Sequence, residues 1–413
     1  MNEDADRPTS VKAECYSCTA DSLLVCGARQ LYRKLHIVHT ESSGGWGGQD
    51  MRVLAESVGL IERGHRVTIV TAARHRLYQE ALKQGVPAVD LPLHKKRLED
   101  FLALRRWLAA NAVDIDIMNS HSSTDAWLTA AVGATLSAMP PVIRTRHVSS
   151  PISKGIGSRW IYQRAICHLV TTGEALRLSL HRDNGIPLEH MTSVPTGIDL
   201  RQFKPRDRTE ARRLHALAGG TWIGILAMMS HFKGHRDVFA AFKMLRQSQR
   251  ELRLLVIGDG PNRQAFEADV RAQGLADAVR FVGYVKDPER WLPALNIFMH
   301  PSTGDEGVPQ SVLQAMACEL PVITTAVGSL PDAVRHEQTG LVVPKNDPVA
   351  IATATTRLQQ DPALAARLAR DGRIHVHSHF SRTVMLDRME SLLTTLVELD
   401  RLVKARGFEE SAL

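Results

Sequence analysis

The chain has 413 residues, 44% of them hydrophobic and 23% charged, with a formal net charge of +7. This length fits two to three domains, and the composition excludes a collagen, a coiled-coil rod and a mainly disordered chain. The longest nearly charge-free apolar stretch, Trp127 to Val142, carries Pro140 and Pro141 and is shorter than the ~20 apolar residues of a bilayer span.

Residues 1–33 have no sustained hydrophobic period and read as an extension of low order. Its acidic start, Met1 to Arg7, argues against a secretory leader. Cys15 and Cys18 form a lone C-x-x-C here, and with Cys26 as a third sulfur the set falls short of the about four ligands of a zinc site. Five scattered cysteines make no disulfide framework and point to a reducing compartment, so the expected location is cytoplasmic.

From residue 34, short β-branched runs alternate with amphipathic helical stretches, the pattern of βαβ units and parallel sheets. Strands are expected at 35–39, 66–71, 88–91, 114–119, 142–145, 168–171 and 191–194, with helices such as 49–64, 99–112 and 124–137 between them. Asp114 and Asp116 fall inside a strand pattern and do not read as a metal pair. A turn-rich segment from Pro195 to Pro205 breaks the rhythm, which restarts with strands at 222–228, 252–257, 280–282, 297–300, 321–325 and 341–343. The chain therefore divides into two α/β units, 34–203 and 204–381, and a helical tail over 382–413 that can cross back to the first.

Positive charge is concentrated. Residues 126–173 contain no Asp or Glu yet hold Arg144, Arg146, Lys154, Arg159 and Arg164. Lys95, Lys96, Arg97, Arg105 and Arg106 form a second cluster on what reads as a surface-lying helix. Such faces are either solvated or attract phosphates on nucleotides, lipid headgroups or nucleic acid. Nucleic acid is disfavoured, because only 5% of residues are aromatic and no RNP, KH or finger pattern occurs.

Four glycines stand at 44, 45, 47 and 48, between the first strand and the first helix. Gly45, Gly47 and Gly48 are read as facing a phosphate or sugar at the carboxyl edge of the sheet, the alternative being a flexible turn. The loop is neither a dinucleotide fingerprint nor a P-loop, since both spacings fail. Trp46 lies within it, and His121 follows the fourth strand as either a cleft-lining or a structural histidine. In the second half, Lys233 and Gly234 follow a strand, and Gly258 and Gly260 occupy another strand-to-helix turn. Glu306, Gly307, Val308, Pro309 and Gln310 then lead into a helix that carries Gln314. Amides at such a helix start point at an anion. Tyr284 and Val285 stand where backbone contacts to a base are expected.

Together with the turn from Pro195 to Asp199 and the closing segments 321–331 and 339–344, these residues resemble the GT-B retaining glycosyltransferases of the family-4 type. The resemblance covers roughly residues 34–385. It implies two Rossmann-like domains facing a cleft, the nucleotide-sugar donor on the second and the acceptor on the first, with no metal or other cofactor. It places the family's E-x7-E motif on Glu306, facing the donor sugar, and on position 314, at the ribose. It gives Lys233 the diphosphate and His147 a place near the donor sugar. Arg144 and Arg146 join Trp46 and His121 as acceptor-side candidates.

Two departures stand out. Gln314 replaces the second glutamate, and an amide still accepts a hydrogen bond from a hydroxyl. The arginine usual a few residues before the lysine is absent, leaving His231 or His235 as partial substitutes. The expected function is sugar transfer to a glycan or lipid-linked acceptor in envelope polysaccharide, lipopolysaccharide or glycolipid synthesis, at an anionic inner membrane face. The alternatives are a nucleotide-sugar epimerase on the same fold and a non-catalytic nucleotide-sugar-binding protein.

Overall fold

The computed structural model describes residues 33–411 apart from 149–150, 218 and 305, with side chains as far as 405. Cys15, Cys18 and Cys26 lie outside the described residues.

Among the described residues, β1 (His36–Thr40), β2 (Arg66–Thr71), β3 (Ala88–Asp90), β4 (Ile117–Ser120), β5 (Val142–Arg146), β6 (His168–Thr171) and β7 (Met191–Ser193) build one sheet. Its order is β3-β2-β1-β4-β5-β6-β7. A second sheet holds β8 (Thr221–Leu226), β9 (Leu252–Ile257), β10 (Val279–Gly283), β11 (Ile297–His300), β12 (Val322–Thr325) and β13 (Leu341–Val343), in the order β10-β9-β8-β11-β12-β13. Neighbouring strands run parallel, with Ile37 opposite both Val67 and Ile117. Helices cover both faces, which is why the strands are apolar along most of their length rather than alternating.

Each sheet reverses its strand order beside its first strand, between β1 and β4 and between β8 and β11. At such a switch point the connecting loops leave toward opposite faces and open a crevice at the carboxyl ends of the strands. The loops after β1, β4, β8 and β11 carry the glycines of residues 44–48, His121, Lys233 and Glu306.

The first sheet has a core on each face. Val38, Val70, Met118 and Leu169 pack under the helices Leu98–Asn111 and Ser123–Gly133. Ile37, Val67, Ile117, Ile143 and Val170 are covered instead by Met385, Met389, Leu393 and Val397 of the last helix, Arg382–Ser411. The four-residue spacing puts those four side chains on one helix stripe. Arg63 pairs with Asp387 and Glu390 at 2.6 Å each, and Arg401 with Asp116 at 2.5 Å, so the helix is also fixed at its edges. The chain thus passes between the two sheets twice. The two passages touch, with the Ile198 amide donating to the Phe380 carbonyl (2.8 Å) and the Arg382 amide to Ile198 (2.9 Å).

Three local expectations need correction. β4 begins at Ile117 rather than at 114, because Ala112–Asp114 forms a 3-10 turn. Asp116 lies outside the strand and accepts from the His36 amide at 2.8 Å. The basic cluster is not one helix: Lys95, Lys96 and Arg97 precede Leu98, where the helix starts with Asp100 accepting from the Lys95 amide. The helix expected over 124–137 ends at Gly133. Among the described residues no helix is long and apolar enough to cross a membrane.

Candidate active site

The two switch points face each other across a cleft of about 900 Å³. Gly45, Trp46, Gly47, Gly48 and His147 line it from the first sheet. From the second come Lys233, Gly258, Gly260, Tyr284, Val285, Glu306, Gly307, Val308, Gln310 and Gln314. Two helices, Gly48–Glu62 and Gln310–Ala317, begin at the cleft wall, so unpaired amides and the positive ends of two dipoles point inward. The loops also bond across the gap. Gln310 Nε2 donates to the Gly48 carbonyl at 2.7 Å, and Trp46 Nε1 donates to the Tyr284 hydroxyl at 3.1 Å. The Arg76 guanidinium lies 4.8 Å from the Trp46 ring centroid and 5.4 Å from that of Tyr284.

Lys233 and Glu306 meet in the cleft, Nζ to Oε2 at 2.5 Å. Two glycines make this possible. Gly234 has φ +77, and a Cβ there would lie 2.0 Å from the Pro301 carbonyl oxygen. Gly328 has φ +54, and a Cβ there would lie 2.1 Å from the Glu306 carbonyl oxygen. That carbonyl accepts from the Ser329 amide at 2.8 Å, so the segment 327–329 anchors the Glu306 loop from behind. The other carboxylate oxygen of Glu306 contacts His300 Nε2 at 3.2 Å. Burial alone pushes the Glu306 carboxyl up, but His300 and Lys233 outweigh it and hold it at about 2. Glu306 is therefore ionised at neutral pH, an acceptor of hydrogen bonds and not a proton donor. Sequence reasoning missed His300; the signal was a histidine ending a buried strand beside the switch point.

His147 is neutral, since burial, then Arg52 and Arg144, push its imidazole well below the usual range. Near the glycine loop, burial raises Asp50 to about 6 while its carboxylate accepts from the Gly47 amide at 2.9 Å.

Other candidates lie off the cleft. His121 is buried behind His147, contacting it Nδ1 to Nε2 at 2.9 Å. Arg144 and Arg146 are buried on the far side of β5, where the Arg144 guanidinium covers the Tyr162 ring at 4.8 Å and Arg146 donates to the Tyr162 hydroxyl at 3.1 Å. In β5 the period-2 alternation puts 144 and 146 on the face opposite Thr145, and His147 follows the end of the strand. His235 supplies no charge: it is buried, its ring lies 5.0 Å from Phe266, and burial pushes it to about 3. In the stretch ahead of Lys233 that lacks an arginine, Met228 is exposed and lines the cleft.

Comparison with known proteins agrees with this geometry. Residues 46–202 match the family described as Glycosyltransferase Family 4, and residues 220–361 match Glycosyl transferases group 1. The D-inositol 3-phosphate glycosyltransferase of Pseudarthrobacter chlorophenolicus is 27% identical over 380 residues, covering 83% of this chain and 90% of the relative. A putative colanic acid biosynthesis glycosyltransferase, WcaL of Escherichia coli, is 27% identical over 221 residues, covering 51% and 53%. Anabaena HepE, solved with UDP, superposes with a TM-score of 0.78 at 17% identity over 87% of this chain and all of that one. The chain belongs to the group 1, family 4 glycosyltransferases and has their GT-B fold of two Rossmann-like sheets. Its reaction is transfer of a sugar from a nucleotide-sugar.

Proposed function

We propose that this glycosyltransferase carries a sugar from a nucleoside-diphosphate donor to a glycan or lipid-linked acceptor, with retained anomeric configuration and without a metal ion. The observation that supports it most is the pairing of Lys233 with an ionised Glu306 beside the start of the helix Gln310–Ala317. Breaking the bond from the anomeric carbon to the phosphate oxygen puts negative charge on the diphosphate. Lys233 and the amides around Val308 and Gln310 oppose that charge, and one such group contributes roughly 10²–10³ in rate at comparable oxyanion sites. Glu306 accepts hydrogen bonds from hydroxyls of the donor sugar and fixes its orientation. His147 contacts the same sugar from the opposite wall, and Gln314 accepts from a ribose hydroxyl. The base rests by Tyr284 and Val285.

The acceptor hydroxyl attacks on the face the diphosphate leaves. Its oxygen forms the new bond to the anomeric carbon, and the departing phosphate oxygen takes its proton. No further carboxylate is required as a base. The acceptor enters past Trp46. The colanic acid relative favours a glycan acceptor. Lys95, Lys96, Arg97, Arg105 and Arg106, with the exposed Leu98 and Leu102 between them, suit an anionic membrane surface.

Calorimetry with UDP, GDP and ADP tests the donor side. One nucleotide binds, and Lys233→Ala weakens its binding about tenfold or more, as expected for loss of a phosphate-facing charge. Absence of heat with all three nucleotides ends this reading. Flotation with liposomes containing phosphatidylserine or phosphatidylglycerol tests the surface, and equal recovery on neutral vesicles removes the membrane from it.

A further inference from the structure

His39 closes on the same site from below, although no motif marks it. It lies in β1 and is fully buried. Its Nδ1 contacts His121 Nε2 at 2.9 Å, and His121 Nδ1 contacts His147 Nε2 at 2.9 Å. Ring centroids along this line are 5.1 and 5.2 Å apart. Three imidazoles thus run from the core of the first sheet to the cleft. At the cleft end, Nδ1 of His147 makes no hydrogen bond among the described residues. At the core end, Nε2 of His39 is buried without a partner among them.

A neutral imidazole has one N–H and one lone pair. Two N···N contacts in series therefore allow only two arrangements: every proton on Nδ1, or every proton on Nε2. The second strands a buried N–H at His39, whereas the first strands only a lone pair. Orphaned buried N–H groups are the rarer of the two kinds of defect.

We propose that His39 and His121 are positioning residues that hold the proton of His147 on Nδ1, so that His147 meets the donor sugar as a hydrogen-bond donor. This rests on the reading of His147 as a donor-sugar contact. The surrounding charged groups are Arg52 on the helix Gly48–Glu62, Arg144 on β5, and Asp125 on the helix Ser123–Gly133, whose Oδ2 accepts from the His121 amide at 2.9 Å. Burial pushes all three imidazoles down, helped by Arg52 at each and by Arg144 at His121 and His147, so the chain stays neutral.

Histidine ring 15N NMR on the nucleotide-free protein tests the chain whatever the donor proves to be. At neutral pH the wild-type signals show three uncharged rings, each protonated on Nδ1. In His39→Leu the direction is lost and His147 shows mixed tautomers; in His39→Asn, whose amide nitrogen sits near the former Nδ1, it is retained. In His121→Ala, His147 titrates at least about one pH unit higher, back toward 6.5. With UDP-glucose hydrolysis as the kinetic probe, the acid limb of kcat moves up with it, while KM changes less than about threefold. Unchanged His147 tautomer and titration in both His39→Leu and His121→Ala overturn the proposal, as does a wild-type His147 protonated on Nε2. If UDP-glucose is not hydrolysed, the NMR result alone decides the chain.

Discussion

Lys233 and Glu306 satisfy each other before any substrate arrives, so the diphosphate must compete with a carboxylate for the same ammonium. The pair also affects acid stability. A carboxyl held at about 2, against an ordinary 4.5, favours the folded state. That contribution is complete above pH 4.5 and is lost as the pH falls toward 2. The stability gap between wild type and Glu306→Gln, from urea unfolding, is therefore expected to be larger at about pH 5 than at about pH 3. A gap that widens on acidification contradicts the charge assignment. Met228 offers the reverse experiment, because its exposed side chain lines the cleft on the turn that carries Lys233. Met228→Arg adds a second cation there. We expect it to tighten binding of the favoured nucleoside diphosphate about tenfold at low salt, and less at high salt. No change in affinity places the diphosphate elsewhere in the cleft.

At the scale of elements, the site depends on turns more than on strands. The 327–329 turn passes so close to the Glu306 carbonyl, in a left-handed conformation, that only glycine fits at 328. Gly328→Ala is expected to lower stability by about 1–3 kcal/mol. It should reduce turnover more than the removal of Gln314 does, because it displaces the whole Glu306 loop. Parallel melting and rate measurements check both parts, and an unperturbed variant shows that the loop yields.

The strands themselves were legible, since apolar β-branched runs separated by helices of suitable length leave few other parallel arrangements. Boundaries failed where local chemistry competed with periodicity. The alternation at Asp114, Ile115 and Asp116 mimics a strand, yet a 3-10 turn takes the first aspartate and ion pairing takes the last. The glycine loop, Lys233 and Glu306 were legible because a helix start after a parallel strand has few uses for such residues. The imidazole chain was not: its members are 82 and 26 residues apart, and only the strand order brings them together. Arg144 and Arg146 turn to Tyr162, a partner that nothing in their motif marks.

On the scale of the whole molecule, the last helix belongs to the opposite half of the chain from the segment that precedes it. Leu393 is fully buried among Ile37, Val67 and Ile143 of the first sheet. Leu393→Ala is expected to cost about 2–5 kcal/mol. Its destabilisation should appear as earlier exchange of backbone amides in β1, β2 and β4 than in β8 to β12, as hydrogen-exchange mass spectrometry can resolve. Uniform loss of protection throughout both sheets means instead that they unfold as one unit.

That crossing also sets an order of events during synthesis. A ribosome completes all seven strands of the first sheet long before it makes the last helix, whose residues 385–397 cover one side of it. Until then Ile37, Val67 and Val170 stay open to water, or to a chaperone. A stop codon early in that final segment would accordingly injure the amino-terminal half and spare the carboxyl-terminal one, the reverse of what its position on the gene suggests.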